Sequence, residues 1–479
     1  MMRVGQHVAF NYKEYTFNRF KDEAYLFHRR ERKYTVFRGL VADLIHLIFV
    51  ESATRDLLYN RLNAVTHPGR ISREQFEDAL TRLAEENIVV LEDVYRRTPA
   101  LPGDTDAVTH VRHHRDRPYF YAPLAANLFI NGRCNQRCSF CFLDFGLMAQ
   151  QEKRKLSCEE WLAITDELIH AGVNVINIGG MEPFLDIELT ISILEKAYEN
   201  GCIVGVITNG SISLSSEQME RLAAMQCYVG VSLEAHVPTV HNDLVNARGA
   251  FQQCVANIEK MIQHGVPVGI QTVALRSNMA YLEQFVEWLE ELGVKSLSIQ
   301  NIFAGPWCSH VRFFDLAMTP AEYRTIVERA KLLERTAKIR IEYEAFPHER
   351  PNDYYTGPLQ GIRFRLYSMC SAGKTAIQVS PTGDLSPCPF TVGHSEHVVG
   401  NLLANKLLVL WHDSAAFGPF RKTRREDYAS VACRTCEMFD ICRGGCLITA
   451  RWANGGYLNG DPRCSKVWDA VETLEAQSR

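Results

Sequence analysis

The chain has 479 residues, more than one hydrophobic core usually organises, so two or three domains are expected. With 46% hydrophobic and 23% charged residues, its composition is typical of globular proteins and excludes a collagen-like or wholly disordered chain. The 52 Lys and Arg residues nearly balance the 56 Asp and Glu residues, so no overall positive field favours nucleic acid or an anionic membrane as a partner.

Two features of the sequence predict a cytoplasmic protein. The N-terminus lacks the basic, apolar and small-residue pattern of a secretory signal. The longest apolar run, residues 40–50, is interrupted by Asp43 and His46 and is shorter than the about 20 residues that span a bilayer. Because the cytoplasm is reducing, the 15 cysteines favour metal ligation or catalysis over a disulfide framework.

Residues 1–100 are predicted to form a winged-helix-like domain. Within residues 34–95 the hydrophobic pattern indicates three helices followed by a short strand. Ser72 and Gln75 form a capping box that predicts the start of the third helix, and the apolar run 88–91 predicts the strand.

Residues 101–120 are predicted to be a linker, because they are rich in Pro, Gly, Asp and His and show no period. Its histidines, His110, His113 and His114, could be metal ligands, but a solvated, charged linker explains them more simply.

From about residue 125 to 300, short apolar runs alternate with longer amphipathic stretches, which is the pattern of βαβ units in a parallel sheet. The predicted strands are 127–130, 173–178, 203–207, 228–233, 268–274 and 296–300. Six such units predict a partial (β/α)6 TIM-like barrel over residues 121–320, followed by a bridging segment at 321–365. In such barrels the chemistry gathers at the C-terminal ends of the strands.

A cysteine-rich loop follows the first predicted barrel strand. Cys134, Cys138 and Cys141 have the spacing C-x3-C-x2-C. Three thiolates leave one iron of a four-iron cluster without a protein ligand, and an open iron could bind a substrate or cofactor. A structural zinc knuckle or a set of free thiols is the alternative at this point.

This loop resembles that of the radical S-adenosylmethionine (SAM) superfamily, whose cluster reduces the SAM sulfonium and releases a 5′-deoxyadenosyl radical. Phe140 fits the aromatic-flanked loop of that family. The stretch Gly179-Gly180-Met181-Glu182-Pro183 resembles the family's GGEP motif with one inserted residue. The resemblance implies that the two glycines allow a close approach to SAM and that Glu182 meets its amine.

Two further positions resemble cofactor contacts of the same family. Asn209 lies in a Thr-Asn-Gly turn after the third predicted strand, and Ser232 lies in the fourth. The family's arginine is absent at position 245, and Arg248 is displaced, so the partner of the SAM carboxylate is not identified.

Seven more cysteines lie near the C-terminus and resemble the seven-cysteine signature of the SPASM extension, here placed at residues 366–479. They are Cys370, Cys388, Cys433, Cys436, Cys442, Cys446 and Cys464. The resemblance implies one auxiliary [4Fe-4S] cluster on Cys433, Cys436, Cys442 and Cys464, and another on Cys370, Cys388 and Cys446. With the first loop, the total is three [4Fe-4S] clusters. A zinc ribbon on the four cysteines at 433–446 is the alternative, but it leaves three thiols unused.

The second auxiliary set has only three cysteines, so one ligand is missing. Asp384, His394 and Cys308 are candidates, and none is favoured by spacing. Asp384 is also a weak candidate for a catalytic base, although a hairpin turn explains it more simply. The catalytic base is otherwise unknown.

Together these resemblances imply a SPASM-type radical SAM oxidoreductase that matures a ribosomally made peptide by installing a C–C (cyclophane) or C–S (thioether) crosslink. Residues 1–100 resemble a RiPP recognition element, a domain that holds the leader of the precursor peptide. A flavodoxin or ferredoxin would donate the electron. The alternatives are a maturase of a folded protein or a quinone-cofactor precursor, and a non-catalytic iron–sulfur electron-transfer or sensor protein.

Overall fold

The computed structural model describes residues 7–66, 71–92, 106–305, 313, 315–347 and 370–469. Cys308 and residues 366–369 of the predicted SPASM domain lie outside the described residues. The described chain is an α/β protein with an N-terminal domain, a large and mostly parallel central sheet, and a cysteine-rich C-terminal region. None of its described helices has the length and apolarity needed to cross a bilayer.

The N-terminal domain combines five strands with three helices. Its strands are β1 (His7–Phe10), β2 (Tyr15–Phe20), β3 (Glu23–His28), β4 (Lys33–Arg38) and β5 (Val89–Glu92). Its helices are α1 (Gly39–Val50), α2 (Arg55–Thr66) and α3 (Arg73–Glu85). Strands β2, β3 and β4 form an antiparallel sheet in that order, and β1 pairs with β5.

The predicted succession of three helices and a strand is confirmed, including the capping box of Ser72 and Gln75. The four strands before residue 39 were not predicted. Strands β2 and β3 are buried along most of their length, and they bury polar residues such as Asn18 and Glu23. The period-2 alternation that marks a half-exposed strand is therefore missing from their sequences.

The segment predicted to be a solvated linker instead contains helix α4 (Ala107–Asp116). The Asp106 side chain caps it by accepting from the backbone N–H groups of the second and third residues that follow. The rings of His110 and His114 are buried, with centroids 4.5 Å apart, so the prediction that they are solvated was wrong. Because histidine counts as polar in a hydropathy pattern, a buried helix face that contains histidines does not stand out as apolar in the sequence.

A buried ion pair ties helix α4 to the N-terminal domain. The Arg19 guanidinium donates to the Asp43 carboxylate at 2.6 Å, and both side chains are fully buried. Arg115 of α4 donates to the other carboxylate oxygen of Asp43. Asp43 therefore neutralises two guanidinium groups, only one of which retains some contact with solvent.

The central sheet has ten strands. They are β6 (Ala125–Leu128), β7 (Val175–Ile178), β8 (Ile203–Thr208), β9 (Tyr228–Ser232), β10 (Val268–Val273), β11 (Ser296–Gln300), β12 (Arg340–Tyr343), β13 (Ala376–Val379), β14 (Asp384–Ser386) and β15 (Gly400–Asn401). Their order is β12-β11-β10-β9-β8-β7-β6-β13-β14-β15, parallel from β12 through β13. Because the two end strands do not pair with each other among the described residues, the sheet is a partial barrel.

Helices connect the parallel strands. They are α5 (Phe145–Glu152), α6 (Cys158–His170), α7 (Ile187–Glu199), α8 (Ser216–Ala224), α9 (Pro238–Val245), α10 (Ala250–Gln263), α11 (Arg276–Met279), α12 (Leu282–Leu292) and α13 (Pro320–Thr336). All six predicted barrel strands are present. The sheet also extends beyond the predicted barrel, because β12 lies in the segment predicted as a bridge and β13 pairs in parallel with β6.

Short helices follow the last strand in the C-terminal region. They are α14 (Leu407–Asp413), α15 (Gly418–Arg421), α16 (Val431–Thr435), α17 (Phe439–Cys442) and α18 (Leu447–Ala453). Their small core joins aromatic side chains such as Phe420, Tyr428 and Phe439 to the cysteines. Because this apolar core is small, the cysteines have a large share in stabilising this region.

Replacing Asp43 with Ala should destabilise the folded protein by about 3–5 kcal/mol, because it leaves the buried Arg19 without its counter-charge. Chemical denaturation followed by far-UV circular dichroism measures the change. Asp78→Ala is the matched control, since Asp78 pairs with Arg82 on the surface, where such pairs contribute about 0–1 kcal/mol. Equal losses in the two variants would contradict the importance of the buried pair.

Candidate functional site

The loop after β6 brings its three cysteines together. Burial, helped by the charge of the neighbouring Cys134, raises the pKa of Cys141 to about 11. Burial also raises the pKa of Cys138, again helped by the charges of the other two thiols. Because the ionised thiols would repel one another, this set suits a cationic group that binds all three.

Backbone contacts fix this loop. The N–H groups of Arg137 and Ser139 donate to carbonyls at the end of α9, at 3.1 and 2.9 Å. The N–H of Gly132 donates to a Glu152 carboxylate oxygen at 2.8 Å. A side chain at Gly132 would collide with the Met148 carbonyl, 2.0 Å from where its Cβ would lie, so this position requires glycine.

The glycine-rich stretch after β7 lies against the same loop. Gly180 adopts a positive φ of 98°, and a Cβ there would lie 2.1 Å from the Phe129 ring. Gly179 precedes it, directly after β7. Only glycine at position 180 allows both this backbone turn and the close approach to Phe129.

Glu182 is fully buried and joins two loops. One carboxylate oxygen accepts from the Phe184 N–H at 3.0 Å and the Thr208 hydroxyl at 2.8 Å, and the other accepts from the Asn209 N–H at 2.8 Å. Burial raises its pKa to about 7, against the opposing effect of these hydrogen bonds. The carboxylate therefore faces protein donors and positions the loop after β8.

Asn209 connects that loop to the cysteines. Its amide nitrogen lies 3.7 Å from Cys134 Sγ and donates to the Asn135 side chain at 2.8 Å. Ser232 ends β9 and pairs in register with Gln271.

Phe140 belongs to an apolar group at the ends of β10 and β11 that also contains Leu275, Ile302 and Trp452. Trp452 comes from the C-terminal region, so this group joins the cysteine loop to both the barrel and that region. The structure thus gathers Phe140, Asn209 and the Gly179–Glu182 stretch around the first cysteine loop.

Two glutamates that sequence reasoning missed, the buried Glu234 and the half-buried Glu344, repeat the arrangement of Glu182. Glu234, after β9, accepts from the Val273 N–H at 2.8 Å, and Glu344, after β12, accepts from the Asn301 N–H at 3.1 Å. Burial raises the pKa of Glu234 to about 7 and raises that of Glu344. The sequence signal that could have identified these glutamates is an acidic residue within a few positions of the end of a buried strand.

The C-terminal cysteines fall into two sets. Cys433, Cys436, Cys442 and Cys464 line one small cavity. Separately, burial raises the pKa of Cys388, and the charges of Cys446 and Cys370 raise it further. The same two groups of cysteines are those that the sequence resemblance predicted as cluster ligands, and that role stays a prediction.

The donor set fits iron–sulfur clusters, which are held by cysteine thiolates. Among the described residues, no three His, Cys, Asp or Glu side chains are arranged to hold a single metal ion.

Two of the candidate fourth ligands, Asp384 and His394, have contacts away from the cysteines, and the third, Cys308, lies outside the described residues. The Asp384 carboxylate accepts from the Thr382 hydroxyl at 2.8 Å and from Asn401 at 2.9 Å, within the hairpin turn between β13 and β14. The His394 ring contacts Trp452, with centroids 5.9 Å apart. The geometry gives Asp384 a role in the turn, as the simpler sequence interpretation expected.

Asp461 and Arg463, which sequence reasoning also missed, fasten the C-terminal cysteines to the barrel. The Asp461 carboxylate accepts from the Cys446 N–H at 2.8 Å and forms a buried ion pair with Arg463 at 2.7 Å. Arg463 also donates to the Ile302 carbonyl, beyond β11, at 3.1 Å. The same guanidinium lies over the Phe303 ring.

Packed aromatic rings connect the first cysteine loop to the segment that contains Cys388. Phe142 meets Phe390 edge-on with ring centroids 4.6 Å apart, and Phe390 stacks on Phe303 at 4.4 Å. The loop of Cys134, Cys138 and Cys141 is therefore packed together with the segment of the set formed by Cys370, Cys388 and Cys446.

Comparison with known families agrees with this geometry. Residues 128–289 match the Radical SAM superfamily, and residues 370–437 match SPASM, an iron–sulfur cluster-binding domain. The chain therefore contains a radical SAM domain and a SPASM domain. Its cofactors are accordingly SAM and iron–sulfur clusters.

Curated relatives align over most of their length. The chain is 26% identical over 354 residues to PqqA peptide cyclase of Ruegeria pomeroyi, covering 73% of this chain and 88% of the relative. It is 28% identical over 353 residues to Mycofactocin maturase MftC of Mycolicibacterium smegmatis, covering 73% and 84%.

Solved structures share the fold. Streptococcus suis SuiB aligns with a TM-score of 0.65 at 17% identity, covering 92% of this chain and 96% of SuiB. The enzyme anSMEcpe with bound AdoMet aligns with a TM-score of 0.56 at 16% identity, covering 74% and 98%.

The buried Glu234 predicts a pH dependence of stability. Because its folded pKa of about 7 lies above the usual 4.5, its contribution is complete below about pH 4.5 and is lost as the pH rises through about 7. The loss amounts to roughly 3 kcal/mol. Glu234→Gln should flatten the fall of the melting temperature between about pH 5 and pH 8.

Differential scanning fluorimetry across that pH range measures this effect. The exposed Glu259→Gln serves as the matched control and should leave the slope unchanged. A Glu234→Gln slope equal to that of the wild type would contradict the role of burial.

Proposed function

We propose that this protein is a radical SAM peptide maturase that installs an intramolecular C–C (cyclophane) or C–S (thioether) crosslink in a ribosomally synthesised precursor peptide. The observation that carries the proposal is the separation of ten cysteines into three sets around the mouth and edge of one partial barrel. A protein that only transfers electrons does not need the glycine-rich and Asn-containing loops that surround the first set.

Each cysteine set is assigned one [4Fe-4S] cluster. The first loop holds the cluster with the open iron, and the set of four cysteines holds a fully ligated auxiliary cluster. The set of three, Cys370, Cys388 and Cys446, holds the other auxiliary cluster, whose fourth ligand is supplied by something other than cysteine. A peptide thiolate could take that position, which would favour thioether formation.

SAM and its cluster, when bound, supply the 5′-deoxyadenosyl radical that removes a hydrogen atom from the peptide. The residues of the chain position the cofactor. The positions proposed to contact the cofactor are Phe140, Gly179, Gly180, Glu182, Asn209 and Ser232. Glu182 also holds the Asn209 loop in position. The apolar group around Phe140 keeps water from the reacting atoms.

The names of the relatives support a peptide as the substrate. The two curated relatives are named a peptide cyclase and a maturase, and one SuiB structure is described as bound to precursor peptide SuiA. Mass spectrometry of a small peptide encoded beside this gene, after co-expression, tests the proposal. The crosslinked product should be lighter by two hydrogen atoms, because one bond forms and two bonds to hydrogen break. One hydrogen atom would pass to the 5′-deoxyadenosyl radical, and the other would leave as a proton while an auxiliary cluster accepts the remaining electron.

The N-terminal domain is proposed to bind the leader of that peptide. Strand β4 is an edge of its sheet among the described residues, and four of its six side chains are exposed. An extended leader could add a strand there, gaining main-chain hydrogen bonds. Tethering in this way raises the concentration of the core peptide at the barrel mouth.

Replacing Cys134, Cys138 and Cys141 with Ala should abolish 5′-deoxyadenosine production while leaving about two thirds of the iron. Iron assay and chromatography after anaerobic reconstitution with SAM and dithionite measure both. The matched control replaces Cys433, Cys436 and Cys442 with Ala, which should remove a similar amount of iron but leave uncoupled SAM cleavage. Complete loss of iron in the first variant would count against separate clusters.

A substitution on β4 tests leader binding. Val36→Glu places a charge on the exposed apolar surface of the edge strand and should weaken the affinity for the leader peptide about tenfold or more. Leu57→Glu, on the similarly exposed face of α2, is the control and should bind the leader as the wild type does. Fluorescence anisotropy with a labelled leader measures both, and unchanged binding by Val36→Glu would remove β4 from the recognition surface.

A further inference from the structure

The turn between β3 and β4 is fastened to the end of helix α7. Arg29 donates to the Asn200 carbonyl at 3.0 Å. Arg32 donates to the Tyr198 carbonyl at 2.9 Å and to the Cys202 carbonyl at 3.2 Å, and its guanidinium lies 3.8 Å from the centre of the Tyr198 ring. The last carbonyls of a helix lack partners within the helix and favour cations. Two arginines of the N-terminal domain therefore cap a helix of the barrel.

The N-terminal sheet also bonds to the residue that precedes β7. The Thr16 hydroxyl, from β2, donates to the Asn174 side-chain oxygen at 2.8 Å. The Asn174 side-chain nitrogen donates to the Tyr34 hydroxyl, from β4, at 3.2 Å. Both outer strands of the sheet are therefore fixed to one buried residue at the amino-terminal end of a barrel strand.

An apolar cluster fills the space between the N-terminal sheet and the barrel. The rings of Phe20 and Tyr25 each pack on Phe120, with centroids 5.1 Å apart in both pairs. The same cluster contains the first residues of three barrel strands, which are Ala125 of β6, Val175 of β7 and Ile203 of β8. The amino-terminal end of the barrel is therefore covered at these strands, and a peptide held on the N-terminal sheet cannot enter the barrel there.

The docking contacts and the first cysteine loop lie at opposite ends of the same strands. Cys202 directly precedes β8, whereas Asn209, which contacts Cys134, directly follows it. The six residues of β8 lie between them, and a strand rises about 3.3 Å per residue, so the two ends are about 23 Å apart. A fully extended peptide needs about seven residues to cover that distance.

We propose that Arg29 and Arg32 are positioning residues that hold the leader-binding sheet at the amino-terminal end of the barrel. The precursor peptide then carries a spacer of at least about seven residues between the strand that pairs with β4 and the residue that loses its hydrogen atom. The inference rests on the proposed function, in which β4 holds the leader and the first cysteine set starts the reaction. It adds a constraint on the substrate, because peptides whose leader and core lie closer together are bound but not crosslinked.

The expected dependence on spacer length is asymmetric. Below about seven residues the core peptide does not reach the barrel mouth, so the rate falls steeply. Above that length the effective concentration falls only slowly, because the entropy of closing a loop depends on the logarithm of its length. A leader bound to a freely moving domain would lack the steep side, because the domain itself could approach the mouth.

The test uses the reconstituted full-length protein and the peptide encoded beside this gene, with flexible Gly-Ser spacers of about 4, 12 and 24 residues between leader and core. Mass spectrometry of the product over time measures the crosslinking rate. The rate with the shortest spacer should be about tenfold or more below the rate with the middle one, and the longest should lie within about threefold of the middle one. Leader affinity, measured by fluorescence anisotropy, should be equal for all three. Equal rates with the shortest and middle spacers would overturn the proposal.

The double variant Arg29→Met with Arg32→Met tests the two arginines, because Met cannot donate to the carbonyls of α7. The advantage of the middle spacer over the shortest should shrink about threefold or more, while leader affinity and SAM cleavage without peptide should be unchanged. Arg30→Met, at an exposed position in the same turn, is the matched control and should keep the wild-type dependence on spacer length. A wild-type dependence in the double variant, or an equal change in the control, would overturn the positioning role.

Failure of the proposed function gives a different result from failure of this inference. If the protein is not a peptide maturase, no peptide is crosslinked at any spacer length. If only the inference fails, peptides with every spacer are crosslinked at similar rates.

Discussion

The placement of the cofactor loops depends on buried and half-buried carboxylates that fasten neighbouring parallel strands where they end. Glu182, Glu234 and Glu344 each accept a backbone N–H from the end of the adjacent strand, joining β7 to β8, β9 to β10 and β11 to β12. A buried carboxylate without such donors would be strongly unfavourable, so each one fixes its partner strand as well as itself. The strand ends are thereby aligned before any cofactor binds.

The C-terminal region is part of the same construction. Strand β13 pairs in parallel with β6, the strand that leads into the first cysteine loop, so residues about 250 positions apart become neighbours. Two further contacts join the later cysteines to the barrel. They are the Asp461–Arg463 pair and the packed rings of Phe142, Phe390 and Phe303. The auxiliary sets are consequently fixed relative to the first loop, as electron transfer between clusters would require.

Sequence reasoning predicted the repetitive parts of this structure. The six barrel strands were found because each is a short apolar run followed by an amphipathic helix. The C-terminal cysteine sets were grouped by their resemblance to the SPASM signature, and their role as cluster ligands stays a prediction. It missed β2 and β3, which bury polar side chains, and α4, whose buried face includes His110 and His114. It also missed Glu234 and Arg463, because a charged residue that is buried by its partners looks like a surface residue in the sequence.

The central claim is that the first cysteine set leaves an iron available to SAM. Electron paramagnetic resonance of the dithionite-reduced, oxygen-free protein tests it most directly, with the variant that has Ala at positions 134, 138 and 141 supplying the signal of the other clusters for subtraction. Adding SAM should change the g-values of the signal that this variant lacks, because the cofactor becomes a ligand of the cluster. A spectrum that SAM leaves unchanged, or a protein that contains zinc in place of iron, would contradict the account.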